Sequence, residues 1–212
     1  MIDNYINVDN SMKLKTILIT CLFGMLAICA QAQSAMKILD TAAANFQKTK
    51  GVKITYTFSS GGEHGNGTIK LSGQKFVNDM GDMVVWFNGK TMWTLVKSNE
   101  EVNVTTPTAK EIAKMNPYAF MSLYKKGYKA TMGKSSATFH EVLLTATDAK
   151  ASLQNITVRI DKKTNQLQYV KMNGQGAQIE ISVKSYTAQS FNDATFTFNA
   201  KNYPDVDVID LR

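Results

Sequence analysis

The sequence predicts an α+β, mainly β domain: one antiparallel sheet curled into a barrel, with helices at its start and in its middle. Three observations predict it. Short runs of alternating apolar and polar residues recur from Val52 to Val183, divided by turn signals, with no strand–helix repeat between them. Two stretches, 34–50 and 106–127, break that pattern with apolar residues at helical spacing. The stretch Met83–Val96, MVVWFNGKTMWTLV, carries apolar side chains at successive positions on both arms. A strand with one wet face alternates, so this hairpin is covered on both sides. It holds both tryptophans, Trp86 and Trp93. Two readings of it stand: a central core hairpin, or a hairpin with one face lining a hydrophobic cavity.

Residues 1–32 read as a signal peptide. Lys13 and Lys15 form a basic n-region, Thr16–Ala30 an apolar h-region, and Ala30-Gln31-Ala32 a small-residue cleavage site ahead of Gln33. Met12 is the expected start. The apolar run is short for a membrane span. Export to the periplasm of a bacterium follows. Cys21 and Cys29 are the two cysteines and both leave with the signal, so the mature chain has no disulfide and no cysteine metal ligand. Leu26-Ala27-Ile28-Cys29 resembles a lipoprotein attachment site, with bulky Ile28 where a small residue should stand. Residues 33–212, about 180, make one domain able to bury a core without staples. The net charge of +7 stays with the mature part. It suits solubility, an anionic membrane surface or an acidic partner; export argues against nucleic acid. The lysines are scattered, with no polybasic run.

Ser34 caps a helix expected to reach Lys50, stopped by Gly51, with Met36, Leu39, Ala43 and Phe46 on one face. Val52, Ile54, Tyr56 and Phe58 alternate along the first strand. Gly61–Gly67 reads as a flexible turn that fits no nucleotide-binding pattern. Ile69 and Leu71, then Phe76, mark the next two strands. Asn88-Gly89 predicts a type I′ turn joining the arms of the central hairpin. Val102 and Val104 follow. In the insertion, Thr108 and Glu111 form a capping box, with Ile112 and Met115 behind it. Asn116-Pro117 restarts a helix that ends at Gly127, with Phe120, Leu123 and Tyr124 on one face. That helix is either a connector on the sheet edge or a lid over one end of the barrel. Further strands run through Phe139–Leu144, Ile156–Ile160, Leu167–Val170 and Ile179–Val183, and a terminal run covers Val206–Leu211. About ten strands are expected.

Chemistry is sparse. His64 and His140 share no ligand spacing, no serine sits in a nucleophile elbow, and Asp79 and Asp82 flank a Met80-Gly81 turn. No enzyme and no cofactor are expected. Apolar surface is instead in excess. A barrel of about ten strands is wider than its own side chains fill. The positions that would line it are Ile54, Tyr56, Phe58, Ile69, Leu71, Phe76, Val84, Trp86, Trp93 and Leu95. Ile112, Met115, Phe120, Leu123 and Tyr124 would cover it. Met80, Met83, Met92, Met115 and Met121 gather near the hairpin and the insertion, and flexible thioethers suit varied ligands. The residues therefore point to a binder of hydrophobic ligands.

Three motifs in order resemble the periplasmic lipoprotein carrier family of the LolA type. They are Phe87-Asn88-Gly89-Lys90-Thr91-Met92-Trp93, Asn116-Pro117-Tyr118-Ala119-Phe120-Met121, and Ala194–Phe198 followed by Pro204–Asp210. The resemblance implies an unclosed antiparallel barrel, a half-barrel, with a helical lid. It implies lipoprotein acyl chains as cargo, an inner-membrane lipoprotein-releasing transporter as donor, an outer-membrane receptor, and a monomer. The family latches its lid with an arginine ahead of the hairpin's first arm. This sequence reads Lys70-Leu71-Ser72-Gly73-Gln74-Lys75-Phe76 there, so Lys70 or Lys75 takes the place without the planar fork of arginine. Two other classes stand beside the carrier: a sensor of envelope stress sharing the fold, which ordinarily carries a second domain, and a secreted enzyme, opposed by the sparse chemistry.

Overall fold

A computed structural model describes residues 34–109, 111–112, 124–125, 127–174 and 178–212. The expected signal peptide, and Met115, Phe120, Met121 and Leu123 of the insertion, lie outside the described residues. Twelve strands form one sheet in the order β12-β6-β5-β4-β3-β2-β1-β11-β10-β9-β8-β7. Five hairpin connections join β1 (Val52–Ser60), β2 (Glu63–Ser72), β3 (Lys75–Asp79), β4 (Met83–Phe87), β5 (Met92–Val96) and β6 (Glu101–Thr105). A second meander runs through β7 (Tyr128–Met132), β8 (Phe139–Ala146), β9 (Leu153–Asp161), β10 (Leu167–Gly174) and β11 (Gln178–Ala188). The two meanders meet where β11 pairs with β1. β12 (Asp207–Asp210) then returns to lie parallel to β6. The outermost strands β12 and β7 do not pair, so the sheet is mainly antiparallel and not closed. The count exceeds the sequence estimate of ten because short strands such as β7 and β12 carry little periodicity.

Helix α1 (34–47) stops three residues before Lys50, and the chain turns through 48–50 into β1. Its buried face, Ala35, Leu39 and Ala42, packs against the sheet. Asn45 donates from its side chain to the carbonyl of Thr164 in the β9–β10 turn. The capping box forms: the Thr108 N–H and hydroxyl donate to Glu111 Oε2 at 2.7 and 2.8 Å. A helical turn opens there, described at residues 109, 111 and 112.

Two turn readings are corrected. Asn88-Gly89 is not a two-residue type I′ turn. Asn88–Thr91 is a four-residue loop in which Gly89 alone takes positive φ, 98°. The Asn88 side-chain oxygen accepts the N–H of Lys90 and of Thr91, so the asparagine acts as a cap instead of a left-handed residue. The two-residue turn with both φ positive falls at Gly61-Gly62, at 59° and 89°. Gly65 and Gly67 are therefore not turn residues but lie inside β2, opposite Phe58 and Tyr56. A Cβ on Gly67 would come within 2.3 Å of the Tyr56 ring. The glycine lets that ring lie flat against the neighbouring strand.

The core has two parts, one on each face of the sheet. The inner face, with α1, buries Ile54, Leu71, Phe76, Val85, Val158, Ile160 and Val170 among others. The outer face buries Val77, Val84, Trp86, Leu95, Val102 and Phe196. Phe196 comes from the segment between β11 and β12, which lies on β3–β6 through short 3₁₀ turns capped by Asn192 and Asn199. Phe198 and Tyr203 stack at 5.3 Å and both meet Trp86 edge-on, at 5.5 and 5.8 Å. The central hairpin is thus covered on both sides, as its composition predicts.

Candidate functional site: the inner face of the open sheet

Antiparallel partners point to the same side of a sheet, so the register sorts the residues singled out in the sequence. Ile54, Tyr56, Phe58, Ile69, Leu71 and Phe76 share the inner face with α1. Val84, Trp86, Trp93 and Leu95 share the outer face with Phe196. On the same strands the inner positions are Met83, Val85, Phe87 and Met92. Sequence reasoning passed over the inner positions of the second meander, Val142, Leu144, Val158, Val170 and Ile181. Their strands alternate, but alternation alone does not say which face is shared with β1–β4.

Burial along the inner face is graded. At one end, where α1 runs into β1, Val52, Leu71, Phe76, Ile160 and Leu167 are buried. At the other end the strands carry Phe58, Met83, Leu153, Met172 and Ile179, all packed on the same core but only half-buried. Met80 and Ile112 join them. That end is apolar and partly open, and three of its seven side chains are methionines. Tyr56 sits at the boundary. Its hydroxyl donates to Asn78 Oδ1 at 2.6 Å, and burial pushes its pKa up to about 12. Among the described residues the site therefore offers methyl groups, rings and thioethers, and no charged group beside Tyr56 on the inner rows of β1–β4. Among the described residues no cluster of His, Cys, Asp or Glu could hold a metal. His140 stands alone on the inner side of β8, its pKa lowered by burial and by the charge of Lys162.

The chain leaves the sheet at β6, the strand next to β12, and re-enters it at β7, the outermost strand of the other edge. Ahead of β7 it is tied to α1. Tyr124 is buried, and its hydroxyl donates to Asp40 Oδ1 at 2.5 Å. Lys125 Nζ lies 2.9 Å from the same oxygen. The Tyr124 bond, and then Lys125, hold the Asp40 carboxyl below its usual range. Lys70 and Lys75 stand on the opposite, outer face. Lys70 is opposite Lys53 and Val77, and Lys75 Nζ is bound 2.7 Å from Asp193.

A mainly β sheet left open, with a helix packed on one apolar face, has a counterpart among known families. The family described as outer membrane lipoprotein carrier protein LolA matches residues 25–178. The chain belongs to this family. Among solved structures, an uncharacterized conserved protein from Thermus thermophilus has the same fold. Its TM-score is 0.60 at 10% identity, over 84% of this chain and 99% of that one. A domain from Vibrio parahaemolyticus, provisionally described as an outer membrane lipoprotein-sorting protein, gives 0.47 at 10% identity over 82% and 99%. A LolA superfamily protein from Nitrosomonas europaea gives 0.41 at 9% identity over 77% and 97%. No curated protein sequence matches the chain. Among the described residues no helix is long and apolar enough to cross a membrane.

Proposed function

We propose that this LolA-family protein is a periplasmic carrier. It takes the acyl chains of a lipoprotein onto the inner face of its open sheet and moves them from the inner to the outer membrane. The observation that carries this reading is the burial gradient: one apolar surface, sealed by α1 at one end and half-buried at Phe58, Met83, Met172 and Ile179 at the other. An acyl chain of about fourteen methylenes loses roughly 11 kcal/mol of apolar burial on entering water. A carrier must replace most of that and still let the chain go. A surface already part-covered and lined by flexible side chains fits both demands. In this reading the protein is a binding protein and not an enzyme.

The donor would be an inner-membrane lipoprotein-releasing transporter and the acceptor an outer-membrane receptor or the membrane itself. The +7 charge would favour anionic membrane surfaces, so binding to anionic vesicles should weaken as salt rises. Phe120 and Leu123, which the sequence predicts as ligand-binding residues, would add to the acyl chain's contacts. Native mass spectrometry of the protein purified from periplasm tests the reading. We expect bound lipid or lipopeptide that detergent-free washing retains. Protein that carries none, and that fails to solubilise an acylated peptide added to it, would refute it.

A further inference from the structure

The inner face is not apolar throughout. The register carries it from Val85 on β4 to Thr94 on β5 and Asn103 on β6. The neighbouring row runs from Phe87 through Met92 to Thr105. Thr94, Asn103 and Thr105 are half-buried, and among the described residues no hydrogen bond engages their side chains. Strand position does not explain the polarity. On the outer face of the same two strands, Leu95, Val102 and Val104 are buried and aliphatic. β12 lies beyond β6, so neither β5 nor β6 is the last strand. The sequence places hydroxyl and amide groups on one face of β5–β6 only, beside the apolar surface that α1 covers. Half-buried polar groups with no partner in the protein are met by water, which a ligand's own polar groups can replace.

We propose that the inner faces of β5 and β6, with Thr94, Asn103 and Thr105, form a polar subsite for the uncharged headgroup of the amphiphile whose chain lies on β1–β4. This rests on the carrier reading above. The headgroup chemistry is neutral amide or hydroxyl, as in the peptide that follows an acylated residue or in a sugar. An anionic headgroup is disfavoured, because the next inner row brings Glu101 opposite Asp207. The subsite lies within one sheet of the chain's site, so one amphiphile can reach both. It sets the depth at which an acyl chain stops, since a polar headgroup cannot follow the chain onto Ile54 and Leu71 without losing its own hydrogen bonds.

The test uses the mature protein and the double variant Thr94→Val, Asn103→Leu, which keeps size while removing the polar atoms. N-phenyl-naphthylamine reports the apolar surface by its fluorescence. Three lauryl amphiphiles compete with it below micelle formation: a lauroyl dipeptide amide, dodecyl maltoside and dodecanoate. The wild type should prefer the two uncharged headgroups over dodecanoate. The variant should bind the naphthylamine and dodecanoate as before but lose roughly tenfold toward an uncharged headgroup, a loss of two hydrogen bonds. Loss toward the peptide amide alone assigns the subsite to peptide, and loss toward the maltoside alone assigns it to carbohydrate. Unchanged headgroup preference, in a variant whose naphthylamine affinity shows that it is folded, overturns the subsite and leaves the carrier reading intact. A wild type that binds no naphthylamine overturns the carrier reading and this subsite with it.

Discussion

Strands β3 to β5 carry buried apolar side chains on both faces, and the two faces end differently. On the outer face Val84, Trp86 and Leu95 are closed off by the chain's own Phe196, Phe198 and Tyr203. On the inner face Val85, Phe87 and Met92 join a surface that α1 seals at one end, while Met83 at the other end stays half-buried. The outer cover is part of the same chain, follows β11 directly and is pinned by capped turns and by Lys75 to Asp193. The inner cover is α1, with Tyr124 bound to its Asp40. An apolar strand face thus says only that something covers it. Whether the cover is permanent decides between core and binding site.

The comparison is broken most sharply at Phe196, fully buried in the outer cluster. Phe196→Ala should cost about 3–5 kcal/mol in denaturant unfolding. Its affinity for an acyl probe should not change beyond what unfolding removes. A probe affinity that falls in the folded variant would mean that the outer cluster, too, serves the ligand.

Gly67 tests the inner face where it is tightest. In Gly67→Val the new Cβ meets the Tyr56 ring at 2.3 Å and its hydroxyl at 2.4 Å. The ring must leave Asn78, and we expect about 1–3 kcal/mol of lost stability, read by thermal unfolding. Gly67→Val together with Tyr56→Leu should recover part of it, because the clash is with the ring. No recovery would place the strain in the β2 backbone instead.

Tyr124→Phe removes the bond to Asp40 and should cost about 1 kcal/mol at neutral pH, discounted for the exposure of the carboxylate. The sign of the pH dependence follows from Asp40. Its folded pKa lies below the ordinary value of 3.8, so its contribution is present above that value and disappears as pH falls through the folded pKa. The difference between wild type and variant should therefore be full near neutrality and shrink as pH falls below the ordinary carboxylate value of 3.8. Urea midpoints measured across that range check it. A difference that does not shrink would mean that the tyrosine acts by packing alone.

How much of this was legible follows from what each signal encodes. Alternation from Val52 to Phe58 specified a strand and its apolar face, because a period of two has no other reading over seven residues. The doubly covered hairpin was legible from unbroken apolar runs. Which of its faces belongs with Ile54 was not, since that depends on how β3 and β4 pair, and pairing is a property of the whole sheet. Trp86 and Trp93 consequently stood beside Ile54 in the sequence reading and stand on the other face in the fold. Gly65 and Gly67 looked like a loop because the sequence shows glycine, not the aromatic ring that needs it. The tie from Tyr124 to Asp40 joins residues 84 apart in sequence, and no local pattern marks it. Thr94 and Asn103 carry no motif at all; they become informative only once the register sets them beside Val85.

Met172 gives the smallest change in stability and the most direct view of the half-buried end. It lies on β10 opposite Ile179 and Ile156, with β11 between it and the seam of the two meanders. Being only half-buried, it loses on truncation a part of what a sealed methionine would lose, where such a change costs about 2–5 kcal/mol. We expect Met172→Ala to cost about 1 kcal/mol or less, since solvent already reaches the site and relaxes the cavity. The acyl probe should nevertheless bind several-fold more weakly, because the thioether is part of the surface on which the chain lies. Phe76→Ala, at the sealed end, should show the reverse: a large loss of stability and little change in probe affinity per folded molecule. Unfolding and probe titration on the two variants decide between them. If Met172→Ala destabilises as strongly as Phe76→Ala and leaves the probe untouched, the inner face is one uniform core, and the ligand surface must be sought elsewhere.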